Sequence, residues 1–130
     1  MRQLKLLLVD DHAGFISAAM RHLRRLDWVE VVGTASNGIE AIAQCETLCP
    51  DVVLMDLAMP EMGGLQATRL IKAQDGAPFV VIASHFDDSE HRAHAQRAGA
   101  DAFVSKLTYL HDVLPLLEQL AASKQDGTQQ

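Results

Sequence analysis

Three carboxylates, a hydroxyl and an ammonium stand just after short apolar runs in this sequence. Asp10 and Asp11 follow the run at 6–9, Asp56 the run at 52–55, Ser84 the run at 79–83, and Lys106 comes soon after 102–104. Singly, each has an ordinary role. An aspartate after a strand is commonly a helix cap, a serine there a turn residue, a lysine a solvated charge. Together they describe a chemistry. Clustered carboxylates repel one another and need a counter-charge. Hard oxygen donors with few protein ligands suit Mg²⁺, which keeps several waters and takes phosphate as a co-ligand. Lys106 offers a point charge to a phosphate oxygen, and Ser84 can donate a hydrogen bond to another. A carboxylate in such a site can attack phosphorus and form an acyl phosphate, while the metal and the lysine stabilise the transferring group.

Bringing these residues together requires a particular frame. The apolar runs at 6–9, 29–32, 52–55, 79–83 and 102–104 are continuous rather than alternating, as expected of strands covered on both faces. Amphipathic segments follow them. In the first, Phe15, Ile16, Ala19, Met20, Leu23 and Leu26 form one stripe, with Arg21, Arg24 and Arg25 elsewhere. Asn37-Gly38 opens the second, and Gly63-Gly64 precedes a third that carries Leu65, Leu70 and Ile71. Asp87-Asp88-Ser89 supplies N-caps for the fourth, and Gly99 its stop. The last carries Val113, Leu114, Leu117, Leu120 and Ala121. Proline is tolerated in a first helical turn, so Pro115 places the start of this helix near Asp112. Alternation of strand and helix implies a parallel sheet with right-handed crossovers and helices on both faces. Such a sheet gathers the residues that follow its strands at one edge, where ligands bind.

The fourth helix stands apart, because from Ser89 to Ala98 its apolar residues are only Ala93, Ala95 and Ala98. At about 25 cal/mol per Å² of buried apolar surface, three alanines anchor a helix weakly. This predicts a segment of low local stability that is able to shift.

The 130 residues suffice for one domain, here 1–123, followed by a polar stretch at 124–130 that reads as a tail or the start of a linker. A hydrophobic content of 48% is enough for a real core, and a net charge of -6 argues against gripping nucleic acid through the general surface. The apolar run before Asp10 is too short for a signal peptide or a membrane span. Cys45 and Cys49 lack further ligands nearby and read as reduced thiols, which suits a cytoplasmic protein. Phosphate-binding glycine loops and Ser–His–Asp or Cys–His arrangements are absent from the sequence. His91 and His94 have helical spacing but read as solvated, Trp28 as core or a lid on it, and Met55, Met59 and Met62 as packing and loop residues.

Four pieces carry a resemblance to a known family: Leu-Leu-Leu-Val-Asp-Asp-His at 6–12, Pro-Asp-Val-Val-Leu-Met-Asp-Leu-Ala-Met-Pro-Glu-Met-Gly-Gly at 50–64, Ala-Ser at 83–84 and Ala-Gly-Ala-Asp-Ala-Phe-Val-Ser-Lys at 98–106. In order and spacing they resemble response-regulator receiver domains of two-component signalling, over about 4–122, most closely those of LuxR/NarL-type regulators. The resemblance implies a flavodoxin-like, doubly wound (βα)5 sheet in the strand order 2-1-3-4-5. It implies Asp56 as phosphoacceptor, and Mg²⁺ held by Asp11 directly, by Asp10 largely through water, by Asp56 and by the backbone carbonyl of Ala58. Ser84 matches the switch hydroxyl, Phe103 the switch aromatic and Lys106 the phosphate-binding lysine. Three positions depart from the common pattern. Leu107 stands where many receivers have proline, His85 where a small residue is usual, and Phe103 lacks the hydroxyl of a tyrosine.

The function so implied is a signalling switch rather than a turnover enzyme, one that promotes its own phosphoryl transfer and dephosphorylation. A histidine kinase or phosphotransfer protein would donate to Asp56. The change would run through Ser84 and Phe103 to the fourth helix, and on to an effector protein or a C-terminal DNA-binding domain. The face of the fourth helix, fifth strand and fifth helix is a surface on which two copies could pair. An alternative is a receiver-like binding module indifferent to phosphorylation, which the complete acidic set with Lys106 argues against. A dehalogenase-like hydrolase would want a second aspartate two residues after the nucleophile, where Ala58 stands.

Overall fold

A computed structural model describes residues 3–127. Strands β1 (Leu4–Val9), β2 (Val29–Ala35), β3 (Val52–Asp56), β4 (Phe79–Ser84) and β5 (Ala102–Ser105) alternate with helices α1 (Ala13–Leu23), α2 (Gly38–Leu48), α3 (Gly64–Lys72), α4 (Ser89–Ala98) and α5 (Tyr109–Gly127). The strands form one sheet in the order β2-β1-β3-β4-β5. Every pairing is parallel. Successive side chains point to opposite faces, so each strand feeds two cores. Leu4, Leu6, Leu8, Val52 and Leu54 face α1 and α5, meeting Leu23, Val113 and Leu117. Leu7, Val9, Val53, Met55 and Ile82 face the other way and meet Ala41 of α2, Ala67 and Ile71 of α3 and Ala95 of α4. Burial on both faces is why these strands read as unbroken apolar runs. Trp28 packs, partly buried, against the first of these cores.

Helix ends follow the local signals. Asn37 caps α2, its side chain accepting from the Glu40 N–H, while Glu40 reaches back to the Ser36 N–H at 2.9 Å. Asp88 caps α4, accepting from the His91 N–H, and Gly99 ends that helix at φ 100, a left-handed conformation that glycine adopts without strain.

Helix α5 corrects one expectation. It begins at Tyr109, not near Asp112, and Pro115 lies inside it. Its first turn closes on Thr108, whose carbonyl accepts from the Asp112 N–H and whose hydroxyl donates to the Asp112 carboxylate at 2.6 Å. Pro115 cannot donate to the His111 carbonyl, one turn earlier. Both residues lie on the exposed side, where water can satisfy that carbonyl. The helix also continues through Lys124 to Gly127, into the stretch expected as a polar tail. Lys124 Nζ donates to the Gln3 carbonyl at 2.8 Å and to the Asp51 carboxylate at 2.7 Å, tying α5 to the start of the sheet. The rest of that stretch, 128–130, lies outside the described residues. Among the described residues, no helix is long and apolar enough to cross a membrane.

Candidate functional site

Strand order reverses between β1 and β3, and the carboxyl ends of these two strands carry the acidic residues. Asp10 follows β1 directly and Asp56 is the last residue of β3. Ser84 ends β4 beside Ser105, and Lys106 follows β5. Parallel pairing therefore sets all of them along one edge, as the sequence predicts.

Lys106 organises the edge. Its Nζ lies 2.6 Å from Asp10 Oδ2 and 3.3 Å from Asp56 Oδ1, and all three side chains are at least nine-tenths buried. The ammonium also sits 4.7 Å above the centre of the Phe15 ring, a cation–π contact that holds it from the α1 side. Its backbone N–H donates to the Ser84 carbonyl at 2.8 Å. The Lys106 contact to Asp10 Oδ2 is ionic only. That oxygen is completely buried without a hydrogen bond of good geometry, and the adjacent ammonium is the cation that compensates its burial.

Asp11, Asp56 and His12 complete the cluster with Asp10: one ligand atom from each lies within 4.8 Å of every other. Asp11 is exposed at the mouth. Burial holds the Asp56 carboxyl above its ordinary range, and the nearby Asp10 charge adds to this, with Asp11 contributing less. Lys106 opposes them through its charge and its hydrogen bond. These donors fit a small divalent cation: hard oxygens, and three carboxylates against the single Lys106 ammonium.

Ser84 and Phe103 are not drawn into this cluster. The Ser84 hydroxyl accepts from the Phe86 N–H at 3.0 Å, inside the turn leading to α4. Phe103 is half-buried on β5, with the Arg92 guanidinium 4.8 Å from its ring centre. Arg92 in turn pairs with Asp87, and exposed Phe86 stacks on His91 at 5.2 Å between ring centres. The residues from Ser84 to Phe103 thus form a connected corner built largely from exposed groups. Ala58 is exposed in the loop two residues past Asp56. His85 is exposed as well.

A family model described as the response regulator receiver domain matches residues 6–118. This chain belongs to that family. The receiver is 36% identical over 118 residues to the chemotaxis protein CheY of Listeria monocytogenes, covering 91% of this chain and 98% of that protein. It is 37% identical over 105 residues to YhcZ of Bacillus subtilis, described as an uncharacterized transcriptional regulatory protein, with 81% of this chain aligned. The alignment spans only 49% of YhcZ, about half its length. Among solved structures, the signal receiver domain of the putative response regulator NarL from Mycobacterium tuberculosis superposes with a TM-score of 0.87 at 26% identity, over 94% of this chain and 98% of that one. Receiver domains act as switches in two-component signalling, and the likeness to NarL agrees with the subfamily that the Asp-Asp-His start suggests.

Two residues of the receiver's site were not singled out from sequence. His12 reads there only as part of the family's opening motif, yet it stands among the carboxylates. Gly64 reads as a helix opener, but its position is dictated by contact. A Cβ built on Gly64 would overlap the Asp56 carbonyl oxygen and sit 3.1 Å from the Asp56 carbonyl carbon. Because the obstacle is backbone, glycine is required for α3 to press against the strand end that presents Asp56. A chemical residue followed by Gly-Gly at the next helix start is the signal that could have pointed to it.

Proposed function

We propose that Asp56 is the phosphoacceptor of this receiver and that its phosphorylation resets the corner around α4. The observation that carries the reading is the buried bridge from Lys106 to both Asp10 and Asp56. An ammonium held 3.3 Å from the acceptor carboxylate stands where a phosphoryl oxygen would arrive. The donor is a phosphohistidine of a histidine kinase or a phosphotransfer protein. An Asp56 oxygen attacks phosphorus, the phosphorus–nitrogen bond breaks, and an acyl phosphate forms. Hydrolysis of that anhydride, promoted by the same site, restores the carboxylate. Asp11 directly, Asp10 largely through water, Asp56 and the Ala58 carbonyl would hold Mg²⁺, which would supply neutralising charge to the phosphoryl oxygens.

Transmission starts at Ser84. Its hydroxyl leaves the Phe86 N–H and donates to a phosphoryl oxygen, which pulls on the turn before α4. Phe103 responds by packing inward, since it has no hydroxyl to bond with, and Arg92 loses its ring partner. The output is a changed surface on α4, β5 and α5, read in the cytoplasm by an effector protein or a DNA-binding domain. This domain itself does not grip nucleic acid. The same surface is the one through which two copies would pair.

Phosphorylation with a small-molecule phosphodonor in Mg²⁺, followed by mass spectrometry, tests the assignment. One phosphoryl group is expected on the native chain and none on Asp56→Asn. A label that survives this substitution would sink the assignment.

A further inference from the structure

His12 is the one nitrogen donor among the described residues of the acidic cluster, and its placement is specific. It caps the start of α1 without any side-chain capping bond, so capping does not explain the imidazole. Its Nδ1 lies 3.1 Å from Asp10 Oδ1 and 3.3 Å from Asp11 Oδ1. Around an octahedral cation with bonds of about 2.1 Å, adjacent ligand atoms lie about 3.0 Å apart and opposite ones about 4.2 Å. The spacing of Nδ1 to Asp11, the direct ligand, is therefore close to that of neighbouring ligands on one ion, while Asp10 stands beside them as the carboxylate that acts largely through water. The limit of 4.8 Å across all four residues is slightly wider than an opposite pair needs.

The geometry points to His12 as a metal-selecting residue: we infer that Nδ1 joins the carboxylates on the bound cation and tilts the site from Mg²⁺ toward Mn²⁺ and later divalent metals of the first row. The inference rests on the reading of the acidic cluster as the receiver's cation site. Its chemistry is that of donor softness. An all-oxygen set leaves Mg²⁺ well served, whereas an imidazole nitrogen raises the affinity of transition metals and does little for Mg²⁺. With the ion absent, Nδ1 lies within hydrogen-bonding distance of both carboxylates. At the exposed mouth of the site 66% of the His12 side chain is accessible. This leaves room for the ring to adjust by the few tenths of an ångström that ligation needs.

Mn²⁺ is the probe, because its electron spin-echo envelope modulation registers a directly bound ¹⁴N. The native chain loaded with Mn²⁺ is expected to show ¹⁴N modulation that excess Mg²⁺ removes, and His12→Ala is expected to lose it. Competition titrations should show the preference for Mn²⁺ over Mg²⁺ falling about tenfold in His12→Ala, a loss typical of changes in a ligand shell, with Mg²⁺ affinity nearly unchanged. The variant removes a largely exposed side chain and should fold, which thermal melting checks. Mn²⁺ that binds in competition with Mg²⁺ but shows no ¹⁴N modulation overturns the inference and reduces His12 to an ion-pair partner. Modulation that persists in His12→Ala also overturns it, because the nitrogen then comes from elsewhere. A chain that binds neither ion sinks the reading of the cation site itself, and this inference with it.

Discussion

Helices α4 and α5 flank the same strand, β5, but are held there by unlike means. Helix α5 inserts Val113 and Leu117, both essentially fully buried, between the strands and α1. It adds Tyr109, whose hydroxyl meets His22 Nδ1 at 2.9 Å and whose ring packs on Phe15 at 4.8 Å. At its far end Lys124 clamps Asp51. Helix α4 buries only Ala95 and Ala98, with Ala93 half-covered. What fixes it otherwise is polar: the exposed Asp88 cap and Asp87–Arg92 pair, and the part-buried turn bond to Ser84. Burial energy is large and insensitive to small changes, whereas caps and exposed ion pairs are each worth little and are easily exchanged. The domain thus keeps its stability on one side of β5 and its capacity to respond on the other.

The sharpest way to break this contrast is to empty the α5 side. Leu117→Ala should cost about 2–5 kcal/mol in urea denaturation, the usual range for truncating a buried leucine. A cost below that of any α4 substitution would undo the comparison. Gly64→Ala probes the frame beneath Asp56 and should cost about 1–3 kcal/mol, as overpacking against backbone does. It should also slow phosphorylation by more than its loss of stability explains, which a comparison with an equally destabilised core variant would reveal. On the α4 side, Ala95→Gly should cost about 1–2 kcal/mol, from helix propensity and one lost methyl group. Amide exchange should show the α4 amides opening more readily than those of α5 in the native chain. Equal protection of the two helices would contradict the argument.

The smallest effect concerns pH and has opposite signs in two places. Asp56 is held above its ordinary value of 3.8. Its contribution to the stability of the metal-free fold is fully present below 3.8 and is lost as pH rises through the raised value. Asp88 is held below 3.8, chiefly by the His91 N–H. Its contribution is present above 3.8 and is lost as pH falls through the lowered value. Acidification should therefore relieve the acidic edge while loosening α4. Protection factors of α4 amides, taken relative to the intrinsic exchange rate at each pH, that fall on acidification in the native chain but not in Asp88→Ala would sharpen the contrast.

Much of this arrangement is legible in the sequence because a parallel sheet turns order along the chain into position along an edge. Apolar runs followed by Asp10, Asp56, Ser84 and Lys106 suffice to predict convergence, and the Asn37, Asp88 and Gly99 signals are local. The three-alanine face of α4 likewise reads directly as weak anchoring. What was not legible depends on contacts between distant segments. The need for glycine at 64 comes from the backbone of residue 56 arriving against it. The start of α5 at Tyr109 depends on packing against Phe15 and on water reaching the carbonyl that Pro115 leaves free. The reach of α5 to Lys124 depends on Asp51, whose carboxylate also accepts from the Lys5 N–H. Periodicity and propensity carry none of this, since each involves a partner many residues away.

The bond from Lys124 to the Gln3 carbonyl has a consequence for connectivity. It brings the first and last elements of the fold together at the edge of the sheet opposite Asp56. A short linker there could close the chain into a ring, which could then be reopened in the exposed loop at 85–88. Such a rearranged polypeptide would keep both cores and the Lys106 bridge, but its new ends would be the segment that now joins β4 to α4. Comparing it with the natural connectivity would separate the part of the response that needs an unbroken chain from the part that needs only proximity.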